Sequence, residues 1–271
     1  MTMMDKAVIL ARGLGTRMRK QDQAAKLSEQ QRAIAETGVK AMIPIDRPFL
    51  DYVLHALAEA GYKEVCLVIG PEHDKVRRYY GGLKTARIRI SFGVQEKPLG
   101  TADAVLGAEK FAGGDPFLVI NSDNYYPPSA MRELRAISTP GLAGFEKRAM
   151  LAGSNIPSDR VAKFAIIQIG GDGYMVRIIE KPSPEAMAAM PEPMFLSMNC
   201  WRFNASIFEA CRAIKPSARG EFEIPDAVIY SMERLGEVYK VVPIMAPVLD
   251  LSSRSDVEGV TAKLKGTEIS L

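Results

Sequence analysis

Histidine is nearly absent from this chain: His55 and His73 are the only two among 271 residues. That scarcity excludes a His-rich metal centre and argues against a Ser-His-Asp triad. Both rings read as structural, His55 within a helical stretch and His73 just past a strand. Cysteine is scarce too. Cys66, Cys200 and Cys211 are odd in number and unmatched in spacing, which argues against a disulfide framework or a Cys-based zinc site. No apolar run reaches the roughly 18 residues of a membrane-spanning helix, so no membrane association is expected. The first residues lack the basic segment, apolar core and cleavage site of a signal peptide, so a cytoplasmic location is expected. A net charge of +3 is too mild to suggest nucleic acid as partner, though it is compatible with local anion pockets. Chemistry must therefore rest on Asp, Glu, Lys, Arg and a metal.

What is present is a core-forming α/β pattern. A hydrophobic content of 47% suffices for one large unit. Strand-like runs at Ala7–Leu10, Glu64–Ile69, Arg87–Phe92 and Phe117–Ile120 alternate with helical ones at Phe49–Ala60, Thr101–Phe111 and from Pro127 toward Ile137. This alternation predicts a doubly wound sheet with parallel strands. Further along, Gly141–Lys147, Phe164–Ile169, Tyr174–Ile179 and Phe195–Phe203 read as strands. A helix after Asn204, another over about Ile224–Glu233 and a last strand at Val238–Met245 complete the pattern. The expectation is a single unit over 1–271, a doubly wound sheet with a small β-rich lobe. The polar stretch between Met18 and Val39 is rich in helix formers with almost no apolar face. It reads as a solvated helix, a mobile lid or a plain surface insertion.

The chain opens on an apolar strand that ends in Arg12-Gly13-Leu14-Gly15-Thr16-Arg17. A glycine turn at a strand end leaves backbone N–H groups unshielded, and such a turn can cradle phosphate oxygens or be an ordinary strand-to-helix turn. Asp123 follows the buried run Leu118-Val-Ile, where the carboxyl ends of parallel strands form a ligand crevice. A carboxylate there suits Mg²⁺ or caps a helix. Asp250 follows a second apolar stretch, and two such acids converging on one hard cation would make a phosphoryl-type site. Glu180-Lys181-Pro182 ends another strand, as hydroxyl and phosphate ligands or as a surface ion pair. Gln95 could pair with a base edge and Gly100 could let the base pack on backbone, or the stretch is a plain loop.

In this order these pieces resemble the sugar-phosphate nucleotidyltransferase family. The likeness extends to Lys40-Ala-Met-Ile-Pro44, Gly100-Thr-Ala-Asp-Ala and Lys215-Pro-Ser-Ala-Arg219-Gly-Glu221-Phe-Glu-Ile224, and covers about Lys6 to Asp250. The resemblance implies a Rossmann-like doubly wound mixed sheet, the nucleotide-diphospho-sugar transferase fold, whose β-rich lobe binds sugar. It implies a nucleotide half over about 1–140 and a sugar-phosphate half over about 141–271. The activity implied is Mg²⁺-dependent transfer of a nucleotidyl group from dTTP or UTP to a sugar 1-phosphate, releasing pyrophosphate. By the same resemblance, Leu10, Ala11, Arg12, Gly13, Gly15 and Thr16 wrap the nucleotide, with Gln95, Gly100 and Thr101 at its base. Arg17, Lys40 and Lys181 supply catalytic charge, Asp123 and Asp250 hold the metal, and Glu180, Lys181, Asn199 and Ala165 receive the sugar phosphate. A homodimer or homotetramer is implied.

Departures from the family pattern cluster at the two pockets. Arg12 stands in place of a small residue, and Ser122 where glycine commonly precedes the metal Asp. Arg17 and Lys40 are 23 positions apart, roughly double the family's usual interval. Met198-Asn199-Cys200-Trp201 replaces a glycine-containing motif, and Ala165 replaces another glycine. Two alternatives follow: a regulatory paralogue that binds nucleotide or sugar nucleotide, and a nucleotidyltransferase with a non-sugar phosphate acceptor.

Overall fold

The computed structural model describes residues 3–271. Its strands are β1 (Lys6–Leu10), β2 (Glu64–Ile69), β3 (Arg89–Val94), β4 (Phe117–Asn121), β5 (Asn124–Tyr125), β6 (Gly141–Glu146), β7 (Ala165–Ile169), β8 (Met175–Ile179), β9 (Phe195–Phe203), β10 (Lys240–Ile244) and β11 (Leu249–Asp250). One mixed sheet runs in the order β10-β6-β9-β4-β1-β2-β3, with β7 and β8 branching from β9. The apolar opening run is central because it pairs on both sides: Ile9 stands opposite Leu67 of β2 and Ile120 of β4, both parallel. Strands buried on two faces read as continuous apolar runs, which is why β1, β2 and β4 are legible.

Helices cover both faces. Phe49–Ala60 and Pro128–Ala136 pack on one side, where Leu57, Tyr62 and Met131 are fully buried. Thr101–Leu106, Ser206–Ala213 and Ile224–Arg234 lie against the other, over Phe117, Trp201, Phe203 and Tyr239. Trp201 and Phe203 alternate on β9 and so share a face, their rings stacked 5.7 Å apart. The helix Phe49–Ala60 buries ten of its twelve residues and stops at Gly61, whose φ of 94° ends it without a Cβ penalty. The β7–β8 hairpin, added antiparallel to β9, is the β-rich lobe.

Several boundaries differ from expectation. β3 is Arg89–Val94 rather than Arg87–Phe92. The helix expected over Thr101–Phe111 is two, Thr101–Leu106 and Glu109–Ala112, separated at Gly107, where a Cβ would lie 2.9 Å from the Val94 carbonyl oxygen. β10 is not the last element: β11 and a helix over Asp256–Leu264 follow it. β11 is two residues long, below the length at which alternation is visible.

The polar stretch after Met18 forms a helix only over Glu29–Thr37, opened by a Ser28–Gln31 capping box. It leaves the glycine turn and returns to it. Arg19 donates to Thr37 O at 2.8 and 3.1 Å, and the buried Arg254 donates to Met18 O at 2.9 Å. A Cβ on Gly15 would lie 2.1 Å from Gly38 O. The two ends of the insertion therefore pack backbone to backbone.

Candidate active site

The strand ends of β1 and β4 open on one crevice made of two adjoining cavities, of about 400 and 190 Å³. Arg17, Asn121 and Asp123 line both. All nine residues expected to bind nucleotide line the larger one. The glycine turn forms its floor: Ala11 N–H donates to Val68 O at 2.8 Å, and Gly13 has no atom within 4 Å of where a Cβ would stand. Gly15, at φ 61°, is forced by its contact with Gly38. Because the insertion closes on itself there, Lys40 emerges beside Asp123 despite the long interval from Arg17. Its Nζ lies 2.7 Å from Asp123 Oδ2.

Arg12 lines this cavity but turns its guanidinium away. Nη2 lies 3.1 Å from Glu72 Oε1, the side chain is 7% exposed, and Nε and Nη1 are buried without partners. Gly100 holds φ 120° because the Phe222 carbonyl would lie 2.3 Å from any Cβ there. The glycine is thus required by a neighbouring backbone, a reason the sequence did not expose. Thr101 does not cap its own helix: its Oγ1 accepts from Ile224 N–H at 3.0 Å, tying the start of the Ile224–Arg234 helix to the crevice.

Sequence alone left open whether Asp123 and Asp250 meet. The β5–β11 ladder brings them together by pairing Asn124 with Asp250, and Leu251 N–H donates to Asp123 O at 2.8 Å. Asp250 is 4% exposed; its Oδ1 accepts from Ser252 Oγ at 2.9 Å and Asn124 Nδ2 at 3.2 Å, and its Oδ2 pairs with Arg160. Burial first, and the Asp123 charge second, push its carboxyl up to about 6. Among the described residues no group of three or more His, Cys, Asp or Glu gathers at one point. Two neighbouring carboxylates, one strained by burial, are nonetheless a fitting donor set for a hard divalent cation that takes its remaining ligands from phosphates and water.

Glu180, Asn199 and Ala165 line the smaller cavity. Burial, and then the Glu223 charge, raise the Glu180 carboxyl. Asn199 sits at φ 55° where the β6–β9 register shifts, a conformation asparagine tolerates better than other side chains. Its Oδ1 accepts from Trp201 Nε1 at 3.3 Å. Lys181 is exposed at φ 43° and lies outside both cavity walls, so it alone of the expected site residues is not brought to the crevice. Arg160 and Lys163, on the smaller cavity's wall, were missed. They lie on a short 3-10 stretch, Ser158–Lys163, without apolar periodicity to signal it. Arg160 also bonds Asp256 at 2.5 Å, so it bridges the acid of β11 to the terminal helix.

Residues 6–246 match the nucleotidyl transferase family, to which the chain belongs. It is 32% identical to a glucose-1-phosphate thymidylyltransferase of Streptomyces griseus, over 82% of this chain and 56% of that protein. It is 30% identical to the bifunctional protein GlmU of Methanococcus vannielii, over 82% of this chain and 46% of that one. The chain thus spans about half the length of these relatives. A UTP–glucose-1-phosphate uridylyltransferase of Bacillus subtilis, YngB, is 28% identical over 98% of this chain and 89% of its own. The fold is that of a UDP-glucose pyrophosphorylase solved with UDP-glucose, with a TM-score of 0.74 at 21% identity, covering 98% of this chain and all of that one.

Proposed function

We propose that this chain transfers a nucleotidyl group from a nucleoside triphosphate, dTTP or UTP by preference, to a sugar 1-phosphate, giving an NDP-sugar and pyrophosphate. The observation that carries this reading is the shared wall. Arg17 and Asp123 face both cavities, so a molecule in either one meets the same charges at the boundary.

A phosphate oxygen of the acceptor would attack the α-phosphorus, and the bond from that phosphorus to the bridging oxygen of pyrophosphate would break. The nucleophile is already an anion, so no general base is required, in keeping with a crevice wall that carries no histidine. The task left to the protein is to hold two mutually repelling anions in line and to stabilise charge growing on the α-phosphate. The amides of the glycine turn would hold the triphosphate, and Arg17 the departing pyrophosphate. Lys40 would neutralise phosphate charge, exchanging its bond with Asp123 for one with substrate. Asp123 and Asp250 would hold Mg²⁺, which when bound polarises the phosphoryl oxygens. Glu180 and Asn199 would accept from or donate to acceptor hydroxyls. Lys181 would reach the acceptor phosphate from the rim. A single nucleotidyltransferase unit, a homo-oligomeric state and a cytoplasmic location belong to the same proposal. No helix among the described residues is long and apolar enough to cross a membrane.

The test is pyrophosphate release with Mg²⁺, across dTTP, UTP, ATP, CTP and GTP and a panel of sugar 1-phosphates. Sugar-dependent release with dTTP or UTP is expected. Nucleotide binding without release from any pair would refute sugar 1-phosphate as the acceptor and favour a regulatory protein or a nucleotidyltransferase with a different phosphate acceptor.

A further inference from the structure

The base-binding end of the crevice contains an amide whose orientation is not left to chance. Gln95 follows directly on β3, and its N–H donates to Ile69 O at 2.9 Å, which fixes its backbone at the strand end. Its side-chain Nε2 donates twice, to Gly100 O at 2.9 Å and to Asp103 Oδ2 at 2.8 Å. Both partners are acceptors that cannot donate, one a carbonyl and the other a carboxylate, so only the NH₂ end of the amide satisfies them. Reversing the amide would set its oxygen against two other oxygens in a nearly buried place, where Gln95 is 5% exposed. The carboxylate makes one of these bonds charge-assisted, roughly doubling its strength over a neutral one.

The consequence concerns the other atom. Oε1 accepts no hydrogen bond from the protein, yet it is not among the buried polar atoms left without a partner, and the residue lines the larger cavity. Both amide hydrogens being engaged, Gln95 offers a bound molecule an acceptor and no donor.

Resting on the nucleotide reading of this crevice, we infer that Asp103 is a positioning residue for base selection. With Gly100 O it locks the Gln95 amide so that only its oxygen meets the base, and the site thereby selects bases carrying a ring N–H on the pairing edge. Uracil and thymine carry that hydrogen on N3, and guanine carries it on N1 of a larger ring. Cytosine and adenine present a bare ring nitrogen there, whose lone pair would face the Oε1 lone pairs. Asp103 touches neither base nor phosphate in this account; it acts through Gln95.

The test measures affinity rather than turnover. Wild-type protein, Asp103→Leu and Asp103→Asn are titrated calorimetrically with UTP and CTP, with dTTP, GTP and ATP as further probes. In the wild type UTP should bind more tightly than CTP. Asp103→Leu removes the charged acceptor and leaves Gly100 O alone to oppose a turn of the amide, so the UTP-to-CTP ratio should fall about tenfold, equivalent to 1.4 kcal/mol. Most of that fall should come from improved CTP binding. Asp103→Asn keeps an acceptor oxygen of the same shape and should retain most of the ratio. A purely structural role for Asp103 would weaken UTP and CTP alike and leave the ratio unchanged, and that result overturns the inference while leaving the nucleotide reading intact. Wild-type preference for CTP would also overturn it. Failure of the wild type to bind any triphosphate would overturn both.

Discussion

Asp250→Asn should stabilise the protein in the absence of divalent cation and abolish its response to Mg²⁺. The magnitude follows from the environment of the carboxylate. Its proton is held up to a pH of about 6 in the folded state, against 3.8 for an ordinary aspartate, because the group is buried and faces Asp123. An acid raised in this way contributes stability that is full below the unfolded value and is lost as pH climbs through the folded one. At pH 8 the ionised side chain therefore costs roughly 3 kcal/mol relative to its neutral form. Asparagine mimics the neutral form and can still accept from Ser252 and Asn124, but it gives up the pairing with Arg160. Arg160 keeps Asp256, so its charge is not orphaned. Subtracting one lost hydrogen bond to a charged group, about 1.5–3 kcal/mol, leaves a net gain of about 0–1.5 kcal/mol, at most a few degrees in Tm.

Cation reverses the order. A ligand at a hundred times its Kd adds about 2.7 kcal/mol to the protein that binds it. Wild type should gain this with Mg²⁺ at pH 8 and lose most of it below about pH 6, where Asp250 takes up its proton. Asp250→Asn should show no such gain. Calorimetric melts at pH 5 and pH 8, in chelator and in Mg²⁺, decide the matter. A variant less stable than wild type in chelator at pH 8 would refute the electrostatic argument. An equal response to Mg²⁺ in both proteins would refute the metal assignment.

Gly15→Ala should destabilise the fold by more than 2 kcal/mol, since φ 61° alone disfavours a side chain by about 1–2 kcal/mol and the Gly38 backbone cannot step aside. A denaturant midpoint within error of wild type would show that the insertion yields easily. Lys181→Ala should raise KM for the sugar phosphate with little change in folding or in KM for the triphosphate. An effect confined to the triphosphate would remove Lys181 from the acceptor side.

Much of the fold was legible because buried parallel strands and buried helices are written in continuous apolar residues. β1, β2 and the helix Phe49–Ala60 are such elements. The glycine turn was legible as local chemistry at a strand end. What escaped was set by partners distant in sequence. Gly100 is needed by Phe222, Thr101 serves Ile224, and Asp123 meets Asp250 through a ladder of two residue pairs. Arg160 was invisible for the same reason: its meaning lies in Asp250 and Asp256, each about 90 or more positions away. The interval between Arg17 and Lys40 looked disruptive in one dimension and is neutral in three, because both ends of the insertion return to one contact.

β9 joins the two half-sites by hydrogen bonds rather than by a hinge. It pairs with β6 along one edge and, along the other, with β4, whose end leads into Asp123, and with β7, while its own irregularity presents Asn199. In the proposed transfer, the spacing between the two anions would accordingly be written into a sheet that is already complete when the chain has folded. A transferase built this way would work as an anvil rather than a clamp. On the proposed reaction the gap between the two anions would be fixed by strand register: a one-residue slip of β9 would shift its backbone by about 3.3 Å and turn its side chains, Asn199 among them, to the opposite face.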